Sequence, residues 1–399
     1  MIEGNDIICF SNDWDSDPLS KKHIVLRLAQ KNRVLWVNSI GNRNPTVSAH
    51  DLRRVLKKLW ESLRGCRPVA PNISVFCPLV VPFHGNRVAR WLNRRLLAWS
   101  LRRVCRKLGF QNPITWTFVP SSGDVVGHLG ERLVVYHCVD EYSQFTGTDA
   151  AAILDMERRL MEKADLVIVS SSKLYETKHR FNPNTFLVTH GVDVTHFRAA
   201  CLETTVPPPD CAALPRPVIG FFGLIADWVD LELVRSLAVS RPEWSFLLIG
   251  KIQTDTSILQ GLSNVHLLGR RDYQSLPAYC KMFDIAMLPF VVNELTLAAN
   301  PLKLREYLAA GLPVVATPLP EVERLQGLLR TARTPEEFLG QIDALLEDGM
   351  RGPSLAVSAQ MEQESWDEKV EVLSRIVAKA DPDGRRRGQT TETLQQEAA

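Results

Sequence analysis

The strongest constraint on the fold is the alternation of short apolar strands with helical segments along the 399 residues. Strand patterns lie at 6–10, 33–38, 114–118, 133–139, 166–170 and 185–189, and again at 218–222, 245–249, 265–268, 285–288 and 314–316. This alternation predicts parallel sheets with crossover helices, and the continuously apolar strands predict sheets covered on both faces. Residues 201–217, between the two sets, contain five prolines and are typical of a linker.

A single hydrophobic core stops growing at roughly 250–300 residues, so a chain of this length predicts two doubly wound α/β domains. We place the domains at 1–200 and 218–353 and the linker at 201–217. A helix over 354–380 is expected to pack back on the first domain, and the polar tail over 381–399 is expected to be disordered. Ligands bind at the carboxyl ends of the strands in such sheets, which predicts a central cleft between the domains.

Charge is distributed unevenly, although the formal net charge is only +2. The segment 52–107 carries 14 Lys or Arg and one acid, Glu61, and contains basic helical stretches at 51–60 and 87–107. The second stretch has apolar residues at helical spacing: Val88, Trp91, Leu92, Leu96, Trp99 and Val104. Such a helix can face the core, lie on an anionic membrane surface or bind nucleic acid. Because no aromatic-basic nucleic-acid motif accompanies it, no nucleic-acid partner is expected.

The eight cysteines are scattered and form no close metal-binding pair, so we expect reduced thiols in a cytoplasmic protein. No apolar run approaches the roughly 18–20 residues that span a bilayer. The N-terminus is acidic and lacks the pattern of a signal peptide.

The most informative segment is 298–318, which predicts a helix with polar residues in its first turns. Asn300 is a suitable N-cap and Pro301 a suitable first helical residue, and the free amides of such a helix start favour phosphate. Lys303 and Glu306 are three residues apart and share a face. A cation for a diphosphate and a carboxylate for two sugar hydroxyls suit a nucleotide-sugar.

This segment resembles the donor-binding segment of GT-B glycosyltransferases, particularly the retaining family 4 type. Further segments resemble those of the same family and occur in the family's order. They lie before this one in the chain, at 164–171, 190–197, 219–223, 244–251, 264–270, 276–279 and 283–290. The resemblance implies a GT-B fold, with two Rossmann-like domains that bind the acceptor and the nucleotide-sugar, respectively.

The resemblance also assigns donor-binding roles in the second half of the chain. Glu306 is expected to hold the ribose and Lys303 a phosphate, with Lys303 also counted as catalytic. Gly223 is expected to let a backbone amide approach the diphosphate. The remaining donor candidates are the amides of Asn300 and Leu302, the base contacts Gly269 and Arg270, and the cation Lys251.

Two departures from the family pattern stand out. Ala298 occupies the position where the family often has a second glutamate, and Glu294 lies four residues before it. After the glycine turn, residues 224–230 are acidic where the family often has an Arg and a Lys.

The first half of the chain contains the residues that we expect on the acceptor side of the site. Asp140 and His137 follow a strand and are our first and second candidates for a catalytic group near the reacting sugar. Asp13 and Trp14 are the candidates for acceptor contact. Asp13 and Asp15 form an Asp-x-Asp pair, but the order of elements contradicts the metal-binding fold that uses it, so no metal is expected.

The resulting hypothesis is a glycosyltransferase that moves a hexosyl group from a nucleotide-diphosphate sugar to a glycan or lipid-linked acceptor. By resemblance, it is retaining and acts in surface polysaccharide synthesis. We also expect it to need no metal and no further cofactor, and the basic helices in 52–107 are expected to hold it at an anionic membrane. The alternatives are a non-hydrolysing nucleotide-sugar epimerase and a non-catalytic GT-B partner or scaffold, which Ala298 favours.

Overall fold

The computed structural model describes residues 1–39, 60, 62, 65–79 and 87–381. The chain forms two compact units, Met1–Thr189 with Lys369–Ala399 and His190–Glu368. The division between Thr189 and His190 lies upstream of the Pro-rich segment that marks the predicted linker. Apart from Trp60 and Asp381, the basic helix predicted at 51–60 and the tail predicted at 381–399 lie outside the described residues.

The first unit is built around a parallel sheet with one antiparallel edge strand. Its strands are β1 (Asp6–Phe10), β2 (Arg33–Val37), β3 (Arg67–Ala70), β4 (Ile73–Phe76), β5 (Ile114–Thr117), β6 (Leu133–Cys138), β7 (Leu166–Val169) and β8 (Thr185–Leu187). Across the described residues their order is β3-β4-β2-β1-β5-β6-β7-β8, with β3 antiparallel to β4. This order places the loops after β1 and β6 on either side of β5, at the carboxyl edge of the sheet.

The helices of the first unit connect these strands. Between these strands, the described residues form α1 (Ser20–Leu28), α2 (Arg87–Leu108), α3 (Ala150–Lys163) and α4 (Ser172–Lys178), with short 3₁₀ turns at Pro120–Asp124 and Tyr142–Gln144. Asp149 caps α3 by accepting from the Ala152 N–H, and Ser171 caps α4 by accepting from the Leu174 N–H. Both caps satisfy amides that the first turn of a helix leaves free.

The second unit contains a six-stranded parallel sheet in the order β11-β10-β9-β12-β13-β14. Its strands are β9 (Val218–Phe222), β10 (Ser245–Ile249), β11 (Val265–Gly269), β12 (Ile285–Leu288), β13 (Val314–Ala316) and β14 (Arg330–Thr331). With two parallel sheets of this kind, the α/β class predicted from the sequence is confirmed.

Helices and short turns surround the second sheet, and a last helix, whose residues from Lys369 onward belong to the first unit, ends the described chain. The helices are α5 (Val194–Arg198), α6 (Leu231–Ser240), α7 (Leu276–Cys280), α8 (Glu294–Ala298), α9 (Leu302–Ala309), α10 (Pro320–Glu323), α11 (Pro335–Glu347), α12 (Leu355–Ala359) and α13 (Trp366–Ala380). The 3₁₀ turns are Ala199–Cys201, Ser257–Leu259, Tyr273–Ser275 and Glu362–Glu364. The single helix predicted over 354–380 is therefore wrong, because the last of these turns separates α12 from α13.

Helix α2 packs on the first sheet through a face other than the predicted one. Its buried apolar side chains include Leu97, Leu101, Val104 and Cys105, which join a core that includes Ile8 and Phe10 of β1. Of the predicted apolar stripe only Val104 is buried; Val88, Trp91, Leu92, Leu96 and Trp99 are exposed. The helix therefore does face the core, but apart from Val104 it does so through residues other than the predicted stripe.

Within the described part of the chain, no helix combines the length and the hydropathy needed to cross a membrane.

Backbone contacts join three strand ends in the second unit. The Gly223 N–H donates to the Ile249 carbonyl at 2.8 Å, and the Gly250 N–H donates to the Gly269 carbonyl at 2.9 Å. A Cβ on Gly250, whose φ is +156°, would lie 1.6 Å from the Gly223 carbonyl oxygen. Because that atom is backbone and cannot swing aside, only glycine fits at position 250.

We expect Gly250→Ala to lower the free energy of unfolding by about 3 kcal/mol, because the added methyl group displaces the Gly223 carbonyl. Thermal unfolding of the full chain, followed by circular dichroism, measures this loss. Gly340→Ala is the matched control. It lies within α11 with nothing near its Cβ position, and should gain about 1 kcal/mol or less. Unchanged stability of Gly250→Ala would contradict the assigned contact.

Candidate functional site

The end of β9 and the first turn of α9 come together in the second unit. A Cβ placed on Gly223 would lie 3.6 Å from the Cε of Lys303, so the lysine side chain lies beside the glycine turn. The Lys303 Nζ lies 4.8 Å from the ring centroid of Phe222, the last residue of β9. The structure thus brings together two residues that the sequence assigns to the donor diphosphate.

Lys303 and Glu306 form an ion pair on one face of α9. The Nζ–Oε2 distance is 2.8 Å, and the side chains are 23% and 3% exposed, respectively. The carboxylate is therefore buried, whereas the ammonium group is partly open to solvent. Together they offer a ligand one cation and one strong hydrogen-bond acceptor.

Tyr307 anchors α9 to the end of β9. Its hydroxyl accepts from the Phe222 N–H at 2.9 Å and donates to the Phe222 carbonyl at 3.1 Å. Burial raises the pKa of this phenol well above its usual value, so the hydroxyl keeps its proton. Sequence reasoning missed Tyr307, although it directly follows Glu306 in the motif.

The start of α9 differs from the prediction. The helix begins at Leu302 with Pro301 as its cap residue, and no side chain caps its first amides. The buried Asn300 instead accepts from the Arg305 Nη1 at 2.6 Å and donates to Glu321 at 3.3 Å. The N-cap role predicted for Asn300 and the first helical position predicted for Pro301 are therefore wrong. The Asn300 side chain instead helps to hold the loop before α9, and the amides at the start of the helix stay uncapped.

The other donor candidates lie at neighbouring strand ends. Gly269 ends β11 and accepts the Gly250 N–H, and the exposed Arg270 follows it. The exposed Lys251 follows β10, and its carbonyl accepts from the Ile225 N–H at 3.0 Å. Their contacts with a nucleotide stay predictions.

The acidic turn after β9 is tied to its surroundings. The Asp230 carboxylate caps α6 by accepting from the Leu233 N–H at 2.8 Å. The Trp228 carbonyl accepts from the Val291 N–H at 2.9 Å. One of the two turn carboxylates is thus committed to a helix cap. Of the positions before α9, Ala298 is buried and Glu294 is exposed in the first turn of α8.

His137 is buried in β6 of the first unit. Its ring stacks on Phe118 with centroids 5.0 Å apart, and its Nδ1 has no hydrogen-bond partner among the described residues. Burial, assisted by the positive charge of Lys21, lowers the histidine pKa to about 3. His137 is therefore neutral at physiological pH.

Asp140 lies just beyond β6 and is only partly buried. Desolvation raises the pKa of its carboxyl to about 6; Lys21 opposes this shift, and Glu141 adds to it. Lys21, buried near the start of α1, donates to the Tyr142 hydroxyl at 3.0 Å. Sequence reasoning missed Lys21, which shows no local signal beyond its place after β1, and Tyr142, which lies in the segment that contains Asp140.

A second buried charge cluster adjoins β6. Lys178 pairs with Glu141 at 2.7 Å and with Glu157 at 2.8 Å. Glu157 also accepts from the Tyr136 hydroxyl at 2.6 Å. These pairs link α3, α4 and the loop after β6, and so hold the backbone on which Asp140 lies. No sequence pattern marks them, because the partners are far apart along the chain.

Asp13 and Trp14 are held by their own unit. The Asp13 carboxylate accepts from the Ser39 N–H at 3.1 Å, and the buried Trp14 packs edge-on against Trp36 with centroids 5.1 Å apart. Asp15 pairs with Arg67 at 3.1 Å. Contact of Asp13 or Trp14 with an acceptor stays a prediction. Within the described ranges no group of three or more His, Cys, Asp or Glu side chains is placed to hold a metal ion.

The residues that build the Gly223–Lys303–Glu306 arrangement lie within one family match. Residues 216–348 match the family described as glycosyl transferases group 1. A curated relative, TuaH of Bacillus subtilis, is named as a teichuronic acid biosynthesis glycosyltransferase. It is 32% identical over 187 residues, which cover 44% of this chain and 45% of TuaH. The match thus spans less than half of that relative's length.

Solved structures resemble nearly the whole chain. Sucrose-phosphate synthase from Thermosynechococcus elongatus has a TM-score of 0.67 at 16% identity, covering 94% of this chain and 98% of that one. HepE of Anabaena, in complex with UDP-glucose, has a TM-score of 0.65 at 15% identity, covering 94% and 99%. These likenesses confirm the predicted GT-B fold, and the family match confirms the resemblance to group 1 glycosyltransferases.

The raised pKa of Asp140 predicts a pH-dependent stability. The folded protein holds this proton more tightly than the unfolded chain, since the pKa is about 6 against an ordinary 3.8. Its stabilising contribution is present at low pH and is lost as the pH rises from about 4 to 6. We expect Asp140→Asn to remove this loss, so that its Tm relative to the wild type increases between about pH 4 and pH 7.

Differential scanning calorimetry across this range measures the effect. Glu162→Gln replaces an exposed carboxylate of α3 in the same unit and should give a pH-independent Tm difference. A flat difference for Asp140→Asn would contradict the raised pKa.

Proposed function

We propose that the protein is a glycosyltransferase that transfers a hexosyl group from a nucleotide-diphosphate sugar to a glycan or lipid-linked acceptor. The observation that carries this proposal is the position of Lys303 beside Gly223, together with its ion pair to Glu306, within the group 1 family match. The structural likeness to HepE bound to UDP-glucose supports a nucleotide-sugar as the donor.

In the proposed donor complex, Lys303 turns from Glu306 towards the diphosphate. The uncapped amides at the start of α9 and the positive end of its dipole add further stabilisation of negative charge. Glu306 then accepts hydrogen bonds from the ribose hydroxyls. These groups stabilise the departing nucleoside diphosphate, whose charge grows as the bond to the sugar breaks.

The transfer itself exchanges one bond to the anomeric carbon for another. The bond between that carbon and the donor phosphate oxygen breaks, and an acceptor hydroxyl oxygen forms the new bond. We propose retention of configuration without a metal, with the acceptor proton passing to the departing phosphate. Asp140 is the proposed polar contact on the acceptor side, where its carboxyl group would hydrogen-bond to the acceptor while the proton passes to the phosphate.

The name of TuaH, which refers to teichuronic acid biosynthesis, supports polysaccharide synthesis as the proposed setting. A cytoplasmic location at the inner face of a membrane is a further part of the proposal. A non-catalytic GT-B partner is the second candidate. It is favoured by the buried Ala298 at the place of a family glutamate and by the acidic turn after Gly223.

The test is calorimetric binding of UDP-, GDP-, dTDP- and ADP-sugars to the full chain. We expect one donor class to bind, and Glu306→Gln to weaken its affinity by about 10–100-fold, because hydrogen bonds to a charged acceptor contribute about 1.5–3 kcal/mol. Glu232→Gln, an exposed carboxylate of α6 in the same unit, is the matched control and should bind normally.

The outcomes separate the two candidates. Failure of every donor to bind the folded protein would contradict the donor site. Binding without sugar transfer to any glycan or lipid-linked acceptor would favour the non-catalytic partner.

A further inference from the structure

Helix α2 carries a surface that the proposed transfer chemistry does not use. Trp91, Leu92, Leu96 and Trp99 are 51%, 40%, 42% and 61% exposed, respectively. They lie within about two and a half turns and share one side of the helix with the exposed Arg95, Arg102, Arg103 and Arg106. We call these eight residues the α2 face.

The opposite side of α2 fixes this orientation. Leu97 and Leu101 are buried in the core of the first unit. Arg90 pairs with Asp124 at 2.6 Å and with Asp155 at 3.2 Å. Rotation of the helix to bury Trp91 and Trp99 would expose these leucines and break both ion pairs. The two tryptophans therefore stay on the outside of the folded unit.

The α2 face is basic as well as apolar. Helix α2 contains no acid along its 22 residues, and its exposed arginines pair with no carboxylate among the described residues. Arg95 lies over the Trp91 ring at 5.3 Å, and Arg103 lies over the Trp99 ring at 5.8 Å. Each pair presents a cation and a large aromatic ring together.

We propose that the α2 face docks on an anionic lipid surface, with the axis of α2 in the plane of the interface. Trp and Leu side chains partition into the boundary between headgroups and acyl chains, and arginines bind the lipid phosphates around them. At about 1.5 Å per residue, the α2 face from Trp91 to Arg106 offers a contact about 23 Å long.

The composition of the face favours lipid over nucleic acid. Phosphate backbones recruit basic and polar groups, and they leave exposed Leu92 and Leu96 without a favourable environment. A lipid surface accommodates both the cations and the apolar side chains. The proposal is independent of the donor site, which lies in the other unit.

The experiment is co-sedimentation of the full chain with vesicles of phosphatidylcholine alone or mixed with phosphatidylglycerol. We expect binding to the mixed vesicles that weakens with salt, and little binding to phosphatidylcholine alone. Arg95→Gln with Arg103→Gln should lower the affinity by about 25-fold, at about fivefold for each basic residue near the surface. Trp91→Ser with Trp99→Ser should lower it by about tenfold or more.

Two control variants lie on α3 of the same unit. Arg158→Gln with Arg159→Gln removes two exposed arginines, and Leu154→Ala removes an exposed apolar side chain. Both should bind like the wild type, and every variant is first shown to keep the wild-type Tm.

Wild-type affinity in the tryptophan or arginine variants would overturn the proposal, as would equal binding to both kinds of vesicle. Binding to duplex DNA without binding to vesicles would assign the surface to nucleic acid instead. The calorimetric test of donor binding uses soluble ligands and no vesicles. Its result is therefore independent of the result of the vesicle experiment.

Discussion

The close approach of Gly250 to the carbonyl group of Gly223 is the contact on which the second unit's site depends. It lets the ends of β9 and β10 meet without an intervening side chain, and Gly269 continues the same set of backbone contacts to β11. The Tyr307 hydroxyl then binds both backbone groups of Phe222 and holds α9 against this edge. The positions of Lys303 and Glu306 follow from these backbone restraints rather than from the two charges themselves.

In the first unit, buried charged side chains hold the candidate residues in place, whereas backbone contacts do so in the second unit. Lys178 is buried between Glu141 and Glu157, while Lys21 is buried near Asp140. Buried charges are costly unless they are paired and hydrogen-bonded, and removal of one partner leaves the other uncompensated. The segment after β6 is therefore restrained by the ion pair of Glu141 with Lys178 and by the hydrogen bond from Lys21 to the Tyr142 hydroxyl, which ties the segment of Asp140 to α4 and α1.

The fold could be predicted largely from local pattern, and the site only in part. Buried parallel strands leave apolar runs, and the helix with Lys303 and Glu306 leaves a spacing that is visible in the sequence. The prediction of the buried face of α2 was wrong because Leu97 and Leu101 also recur at helical spacing. Only packing on the sheet decides which of the two faces is buried. Tyr307, Lys21 and the pairing of Lys178 with Glu157 could not be predicted, because each depends on a partner distant in sequence.

Asn300 shows how a preference can mislead. Its residue type and the following proline suit a helix start, yet a buried arginine five residues later recruits the amide oxygen. The side-chain contacts of Asn300 with Arg305 and Glu321 thus override a capping preference worth about 1 kcal/mol.

The ion pair between Lys303 and Glu306 has a consequence for selectivity in the proposed donor site. A ligand that attracts only the lysine leaves a buried carboxylate without its counter-charge, and a ligand that engages only the carboxylate gains nothing from the lysine. Inorganic phosphate and free sugars each meet one half of the pair. The pair therefore favours the binding of ligands in which one molecule carries both a phosphate and a ribose.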